Sequence, residues 1–229
     1  MHIQKDKKIL VLDELQNNLS TMIFSLQDSF QDSLSKDLNH GFSLAFTSSH
    51  FNEGVSTIAL NTALSFMYFN EKKIALIDAN FETPSLHGHF NVENNKGFSD
   101  LILQKLDFEK NFLSVEQGKI QFLPSGKKPE RLSMVFANPF LEKFVQYLKA
   151  KFDLIIFDLP PVFKFYDIVF LSQNIDGIIL IIEAEKTRFE VAENSVKMLQ
   201  KAGVNVFGSI LNKKRHFIPD FIYTYFMHK

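Results

Sequence analysis

The sequence predicts an α/β fold, a mostly parallel sheet with helices on both faces, and three observations predict it. First, the short runs "FSLAFTSS", "KKIALIDAN", "KIQFLPSG", "FDLIIFDLPP", "DGIILIIEAE" and "VNVFGSILNKK" are apolar without alternation and end in polar or Gly/Pro residues. Strands covered on both faces read that way. Second, stretches of helical length lie between them: Ser56 to Phe69, Asn138 to Lys151, Asp167 to Ser172 and Thr187 to Ala202. Third, strand and helix alternate along the chain, and crossovers of that length connect parallel strands.

The elements follow in order. Leu15, Leu19, Met22, Leu26, Phe30 and Leu34 recur at helical spacing, so about 13–34 reads as an amphipathic N-terminal helix. The first of the six strands ends at Ser48-Ser49, the second at Asp78, the third at Pro124-Ser125-Gly126 and the fourth at Asp158-Leu159-Pro160-Pro161. The last ends at Asn212-Lys213, and an aromatic tail, about 216–229, closes the chain. With no internal repeat, low-complexity tract or linker, residues 1–229 read as a single domain. Ligands in open α/β sheets bind at the carboxyl ends of strands. Two such ends carry carboxylates here, beside a Ser/Thr-rich turn, which is what a nucleotide with Mg²⁺ requires.

Composition narrows the function. Twenty-five Lys plus Arg against 26 Asp plus Glu leaves a net charge of −1, too even for a chain that attracts nucleic acid through its phosphates, so no nucleic-acid partner is expected. The absence of cysteine excludes disulfides, thiolate catalysis and Cys-ligated zinc. The longest run without Asp, Glu, Lys or Arg, Gly54 to Asn70, is short of the roughly 20 apolar residues of a spanning helix, and the N-terminus lacks a signal-peptide core. A cytoplasmic protein is expected, at most peripheral at the inner face of the cell membrane. Phe is abundant at 26 residues while only three residues, Arg131, Arg188 and Arg215, are Arg, which reads as codon bias rather than a special aromatic surface. His87 and His89 are closely spaced, but no third ligand lies near them in the sequence, so no metal site is expected there.

The segment "TSSHFNEGVST", Thr47 to Thr57, runs from a strand into a helix, where a phosphate loop belongs. Such a loop, G-x-x-x-x-G-K-[ST], wraps backbone N–H groups around phosphates, sends Lys to the β and γ oxygens and sets a hydroxyl on Mg²⁺. Gly54 and Ser56 fill the second Gly and hydroxyl positions, but Val55 stands where the Lys belongs. By itself the segment is also what an ordinary strand-to-helix turn looks like.

From about Asp13 to Lys214 the chain resembles the cytoplasmic bacterial tyrosine kinases of the CpsD/CapB type, P-loop ATPases related to MinD and ParA. "TSSHFNEGVST" is similar to that family's T-S-S-x-P-G-E-G-K-S-T loop; "ALIDANFETPSLHGHF" resembles D-x-D-x-R-x-P-S-L-H; "NKGFSDLI" resembles a G-L-S-D-x-L turn; "FDLIIFDLPPV" resembles a strand ending D-T-P-P-V. The segment from Asp176 to Lys213 follows the family's last helix and strand. The resemblance implies a P-loop NTPase architecture. It also implies a nucleotide site formed by Ser49, Glu53, Gly54, Val55, Ser56, Thr57, Asn80 and Asn212, the last beside the adenine. Mg²⁺ would sit on Ser56, Asp78 and Asp158.

The departures from the family pattern all harm a Mg·ATP site. Val55 removes the phosphate cation, and losing a comparable preorganised donor costs about 10²- to 10³-fold in rate. Asn80 stands for an Asp and cannot accept a proton as a base. Glu82 stands for an Arg and brings negative charge toward phosphate. The counter-reading is that a neighbouring lysine compensates, for which Lys164, after Pro160-Pro161, is the only plausible substitute because Lys72 and Lys73 precede a strand at its far end. The expectation is therefore a vestigial site: Asp78 and Asp158 as catalytic remnants, no catalytic residue in use, and no cofactor, with ATP or ADP and Mg²⁺ only if the site is retained.

Two further family signatures are altered. An E-x-x-R-x-x-R pattern on the N-terminal helix, which in the family resembles a ring contact, reads Glu14, Asn17, Ser20 here, so no ring of the family type is expected. The family's tyrosine-rich tail is reduced to Tyr223 and Tyr225, the candidate phosphorylation sites, in a segment apolar enough to dock instead. The resemblance thus implies a catalytically degenerate kinase-like protein, a regulator or scaffold in capsular or exopolysaccharide biosynthesis and export. Its implied partners are a transmembrane polysaccharide co-polymerase or related membrane protein, and an active kinase paralogue. The alternatives are an active ATPase or tyrosine autokinase with an atypical loop, and a MinD/ParA-like positioning ATPase.

Overall fold

A computed structural model of the protein describes residues 9–11, 41–69 and 73–213. In chain order these hold β1 (Ile9–Val11), β2 (Phe42–Ser48), α1 (Val55–Phe69), β3 (Ile74–Asp78), α2 (Leu86–His89), α3 (Phe98–Gln104), β4 (Leu113–Val115) and β5 (Ile120–Leu123). There follow α4 (Ser133–Phe136), α5 (Phe140–Lys151), β6 (Leu154–Asp158), α6 (Ile168–Ser172), β7 (Gly177–Glu183), α7 (Phe189–Lys201) and β8 (Val206–Asn212). The strands form one sheet in the order β1-β8-β7-β2-β6-β3-β5-β4. Every pairing is parallel except β4 against β5. All six expected strands are present, joined by the expected helices. The edge strands β1 and β4 were not expected: each is three residues long, too short for a periodic signal. The N-terminal helix expected over 13–34, with Glu14, Asn17 and Ser20, and the tail with Tyr223 and Tyr225 lie outside the described residues.

Alternation within the strands builds a core on each face of the sheet. Ile155 and Phe157 of β6, Ile77 of β3 and Ile178 of β7 join a cluster with Phe98 and Leu101 of α3, Phe136 of α4, Phe144 and Leu148 of α5, and Leu171 of α6. Leu154 and Ile156, one residue out of phase, face the other way with Leu44, Phe46, Leu76, Ile179 and Ile181, against Ile58, Ala59, Ala63 and Phe66 of α1. Each such large apolar side chain contributes about 1.5–3 kcal/mol when fully buried. The abundant Phe is partly core material: Phe98 sits 5.8 Å from Phe81 and 5.5 Å from Phe144, ring centre to ring centre.

The helices on the first face are held by spacing and charge. In α5, Leu141, Phe144, Val145 and Leu148 form one buried stripe, with Glu142 in the first turn and Lys149 and Lys151 in the last, as the helix dipole favours. The carboxyl ends of β2, β3, β6, β7 and β8 consequently open on one edge of the sheet. That edge carries the loop from Thr47 to Thr57, both strand-end carboxylates and Asn212.

Candidate functional site

The loop between β2 and α1 is shaped by its own carboxylate. Glu53 is buried, at 2% exposure, and folds back to accept the N–H groups of Ser49 at 2.9 Å and His50 at 3.2 Å. Thr187, ahead of α7, donates its hydroxyl to the other Glu53 oxygen. Thr47 donates to the Pro160 carbonyl at 2.8 Å, and the Val162 N–H reaches the Ser48 carbonyl at 2.9 Å, which ties the loop to the segment after β6. Gly54 has φ +93°, and a Cβ there would lie 2.2 Å from the Asn212 amide nitrogen, so no other residue fits without displacement. Asn212 in turn donates to the Glu53 carbonyl at 2.9 Å. Ser49, Glu53 and Asn212 thus support the loop from beneath, with the Ser49 hydroxyl 2.8 Å from that of Ser195.

A cleft of about 500 Å³ lies over the loop, lined by Phe51, Asn52, Gly54, Val55, Ser56 and Thr57, by Asn80, Thr83, Pro84 and Ser85 after β3, and by Leu159, Pro161 and Lys213. The first-turn N–H groups of α1, from Val55 to Thr57, meet no acceptor among the described residues. They form the donor end of a 15-residue helix, where anionic oxygen is favoured. Val55 brings no charge to this setting. Its side chain is 8% exposed and packs into the cluster of α1.

Asp78 and Asp158 end neighbouring strands and face each other in register, both with no exposed surface. Asp78 accepts the Asn80 N–H at 3.1 Å and the Leu86 N–H at 3.4 Å. Burial nevertheless raises its pKa to about 7, against the lowering effect of those backbone donors. Asp158 is raised well above the usual carboxylate range, by burial first and then by the charge of Asp78. The nearby Ser56 hydroxyl eases the Asp158 charge, yet neither Asp158 oxygen has a hydrogen-bond partner of ordinary geometry. A buried carboxylate with both oxygens orphaned is costly unless a cation meets it.

That orphaned pair tests the fit of a divalent cation. Mg²⁺ takes oxygen ligands, commonly one or two carboxylates with phosphate oxygens and water filling the rest. Asp78, Asp158 and the Ser56 hydroxyl supply such a set. No cluster of three or more His, Cys, Asp or Glu side chains among the described residues is placed to hold a metal, so the ion fits only together with the phosphates it carries.

Asn80 and Glu82 are engaged locally. Asn80 donates to the Thr83 hydroxyl at 3.2 Å and accepts the Thr83 N–H at 3.2 Å, closing the turn after β3. Glu82 pairs with Lys128 at 2.7 Å and does not line the cleft, so the repulsion expected of it is offset by a neighbouring ammonium. Lys164, the one plausible substitute for the missing loop cation in the sequence, sits with its ammonium 4.8 Å over the Phe51 ring, where the cation–π attraction holds it, and does not line the cleft. Lys213 does line it. Its ammonium donates to the Asn52 carbonyl and lies 3.4 Å from Glu183. Lys213 is marked in the sequence as the last residue of a strand-end pair, but nothing in spacing reveals that its side chain turns back onto a loop 161 residues earlier.

The fold recurs in known proteins. The ParA family, described as "NUBPL iron-transfer P-loop NTPase", matches residues 44–225. The tyrosine-protein kinase YwqD of Bacillus subtilis is 30% identical over 173 residues, covering 76% of this chain and 73% of that protein. The kinase domain of the Escherichia coli tyrosine kinase ETK shares the fold with a TM-score of 0.78 at 20% identity, over 95% of this chain and 87% of that one. MinD of Pyrococcus horikoshii, solved with Mg-ADP, shares it with a TM-score of 0.63 at 18% identity, over 80% and 76%. The match across the loop and both carboxylate strands, together with the alignment to a tyrosine-protein kinase over three quarters of the chain, places this protein in the bacterial tyrosine kinase family of ParA-like P-loop NTPases.

Proposed function

We propose that this chain is a catalytically degenerate member of its family, a regulator or scaffold in capsular or exopolysaccharide biosynthesis and export that works with a transmembrane polysaccharide co-polymerase or an active kinase paralogue. The observation that carries the reading is Val55, an aliphatic side chain packed into the α1 core at the position of the phosphate lysine. Phosphoryl transfer depends on preorganised positive charge where phosphate charge shifts, and a buried isopropyl group supplies none. Asn80, tied to Thr83, adds a second loss, since an amide accepts no proton.

A second reading, an active ATPase or autokinase with an atypical loop, draws on the paired Asp78 and Asp158 beside Ser56. The two readings separate on turnover. With Mg·ATP and the full-length chain, ATP hydrolysis is expected at background, with no phosphate on Tyr223 or Tyr225. Turnover that vanishes in Asp158→Ala would instead establish the enzyme.

A further inference from the structure

We infer that Lys213 is the phosphate-facing cation of this site, so that the cleft still takes a Mg²⁺-bound nucleoside di- or triphosphate through a lysine supplied by the end of β8 in place of the loop. The inference rests on the preceding reading only in taking position 55 as unable to serve. Place is the first support. Lys213 is the cationic residue lining the cleft among the described residues, and its Cε lies 4.0 Å from where a Gly54 Cβ would stand, next to Val55.

Charge is the second. Glu183 is shared by two ammoniums, Lys186 at 3.0 Å and Lys213 at 3.4 Å. Two ammoniums face one carboxylate, so the group Lys186–Glu183–Lys213 carries a net positive charge beside the cleft. Lys128 and Lys164 are committed elsewhere, to Glu82 and to the Phe51 ring. Donor capacity is the third. An ammonium has three N–H groups; Asn52 takes one and Glu183 can take another, so one remains for an oxygen of the ligand. The Lys213 side chain is 46% exposed, so its flexible stem can follow the phosphates. The ligand class follows from the open N–H groups of α1 in the cleft and the orphaned Asp158 carboxylate, buried next to the lining residues Ser56 and Leu159, a pairing that suits an anion arriving with its own divalent cation.

The test is calorimetric titration of the full chain with Mg·ADP and Mg·ATP, on the wild type and on Lys213→Met, Lys213→Arg and Lys164→Met, with thermal melts to check folding. Binding by the wild type, weakened about tenfold or more in Lys213→Met, held within about threefold by Lys213→Arg and unchanged in Lys164→Met, is the expected result. Binding that ignores Lys213→Met overturns the inference, and so does the absence of any binding, which would leave the degenerate-scaffold reading intact. ATP turnover by the wild type would overturn that reading instead, with Lys213 still judged by the same dissociation constants.

Discussion

Asp158 is the residue whose surroundings are least reconciled with a ligand-free chain, because its carboxylate is fully buried and neither oxygen is hydrogen-bonded. Asp158→Asn removes a buried charge that Asp78 opposes. Asp78, raised from 3.8 to about 7, keeps a proton in the folded state that the unfolded chain releases. Stability from this source is complete below about pH 4 and is lost as pH rises through about 7. Asp78 is therefore destabilising at higher pH without a cation, by a few kcal/mol at most (~4). Melts of the Mg²⁺-free chain should be lower at pH 8 than at pH 5, and Asp158→Asn should narrow the gap; a wild type indifferent to pH would refute this account. Val55→Lys is expected not to restore ATP turnover, because Asn80 remains bound to Thr83; full activity in a hydrolysis assay of that single variant would show Val55 to be the sole defect. At this scale the sequence exposes identities and hides partners. The missing lysine at position 55 is plain from the loop motif. The neutralisation of Glu82 by Lys128, 46 residues away, and the return of Lys213 to Asn52 depend on tertiary paths that no local spacing encodes.

Among the elements, the turn "NKGFSDLI" shows how a short motif fixes the angle between a strand and a helix. The N–H groups of Phe98 and Ser99 reach the carbonyls of Pro124 at 2.8 Å and Ser125 at 3.0 Å, so the start of α3 is bonded to the end of β5. Asp100 accepts the N–H groups of Gly97 at 3.1 Å and Lys127 at 3.2 Å, closing the same junction from the helix side. A Cβ on Gly97 would lie 2.0 Å from the Pro124 carbonyl oxygen, and backbone cannot yield as a side-chain tip does. Gly97→Ala should accordingly destabilise the fold by ~2–3 kcal/mol, an overpacking cost read from the shift in chemical denaturation midpoint. A midpoint unchanged within error would mean that α3 moves away freely. The long elements were legible because burial on both faces leaves unbroken apolar runs, as in Leu154–Asp158, and because α5 repeats its stripe over three turns. The four-residue helices α2 and α4 and the strand β4 were not, since a single turn or three residues completes no period, and tertiary contact decides their conformation.

At the scale of the molecule, the described residues concentrate their polar machinery on one edge of the sheet. The net charge of −1 gives no long-range attraction to anionic lipid. No helix among the described residues is long and apolar enough to cross a bilayer. The larger exposed apolar side chains among the described residues include Phe163, Tyr166 and Phe170 around the start of α6, Met134 on the adjoining α4, and Phe189 at the start of α7. The densest basic run, Lys213-Lys214-Arg215, contributes about 1 kcal/mol per charge near an anionic surface, ~3 kcal/mol together, which is weaker than a single acyl chain provides and short of stable anchoring. One of those three charges is, in addition, already shared with Glu183. Under the proposed function, a membrane protein holds the chain at the membrane. Flotation of the purified chain with vesicles rich in phosphatidylglycerol, at physiological salt, should leave it in the unbound fraction. Addition of vesicles carrying a co-polymerase from the same polysaccharide system should bring it to the floating fraction, and high salt should not release it if the contact is largely apolar. Flotation with lipid alone would refute the argument, because the chain would then need no protein partner to reach the bilayer.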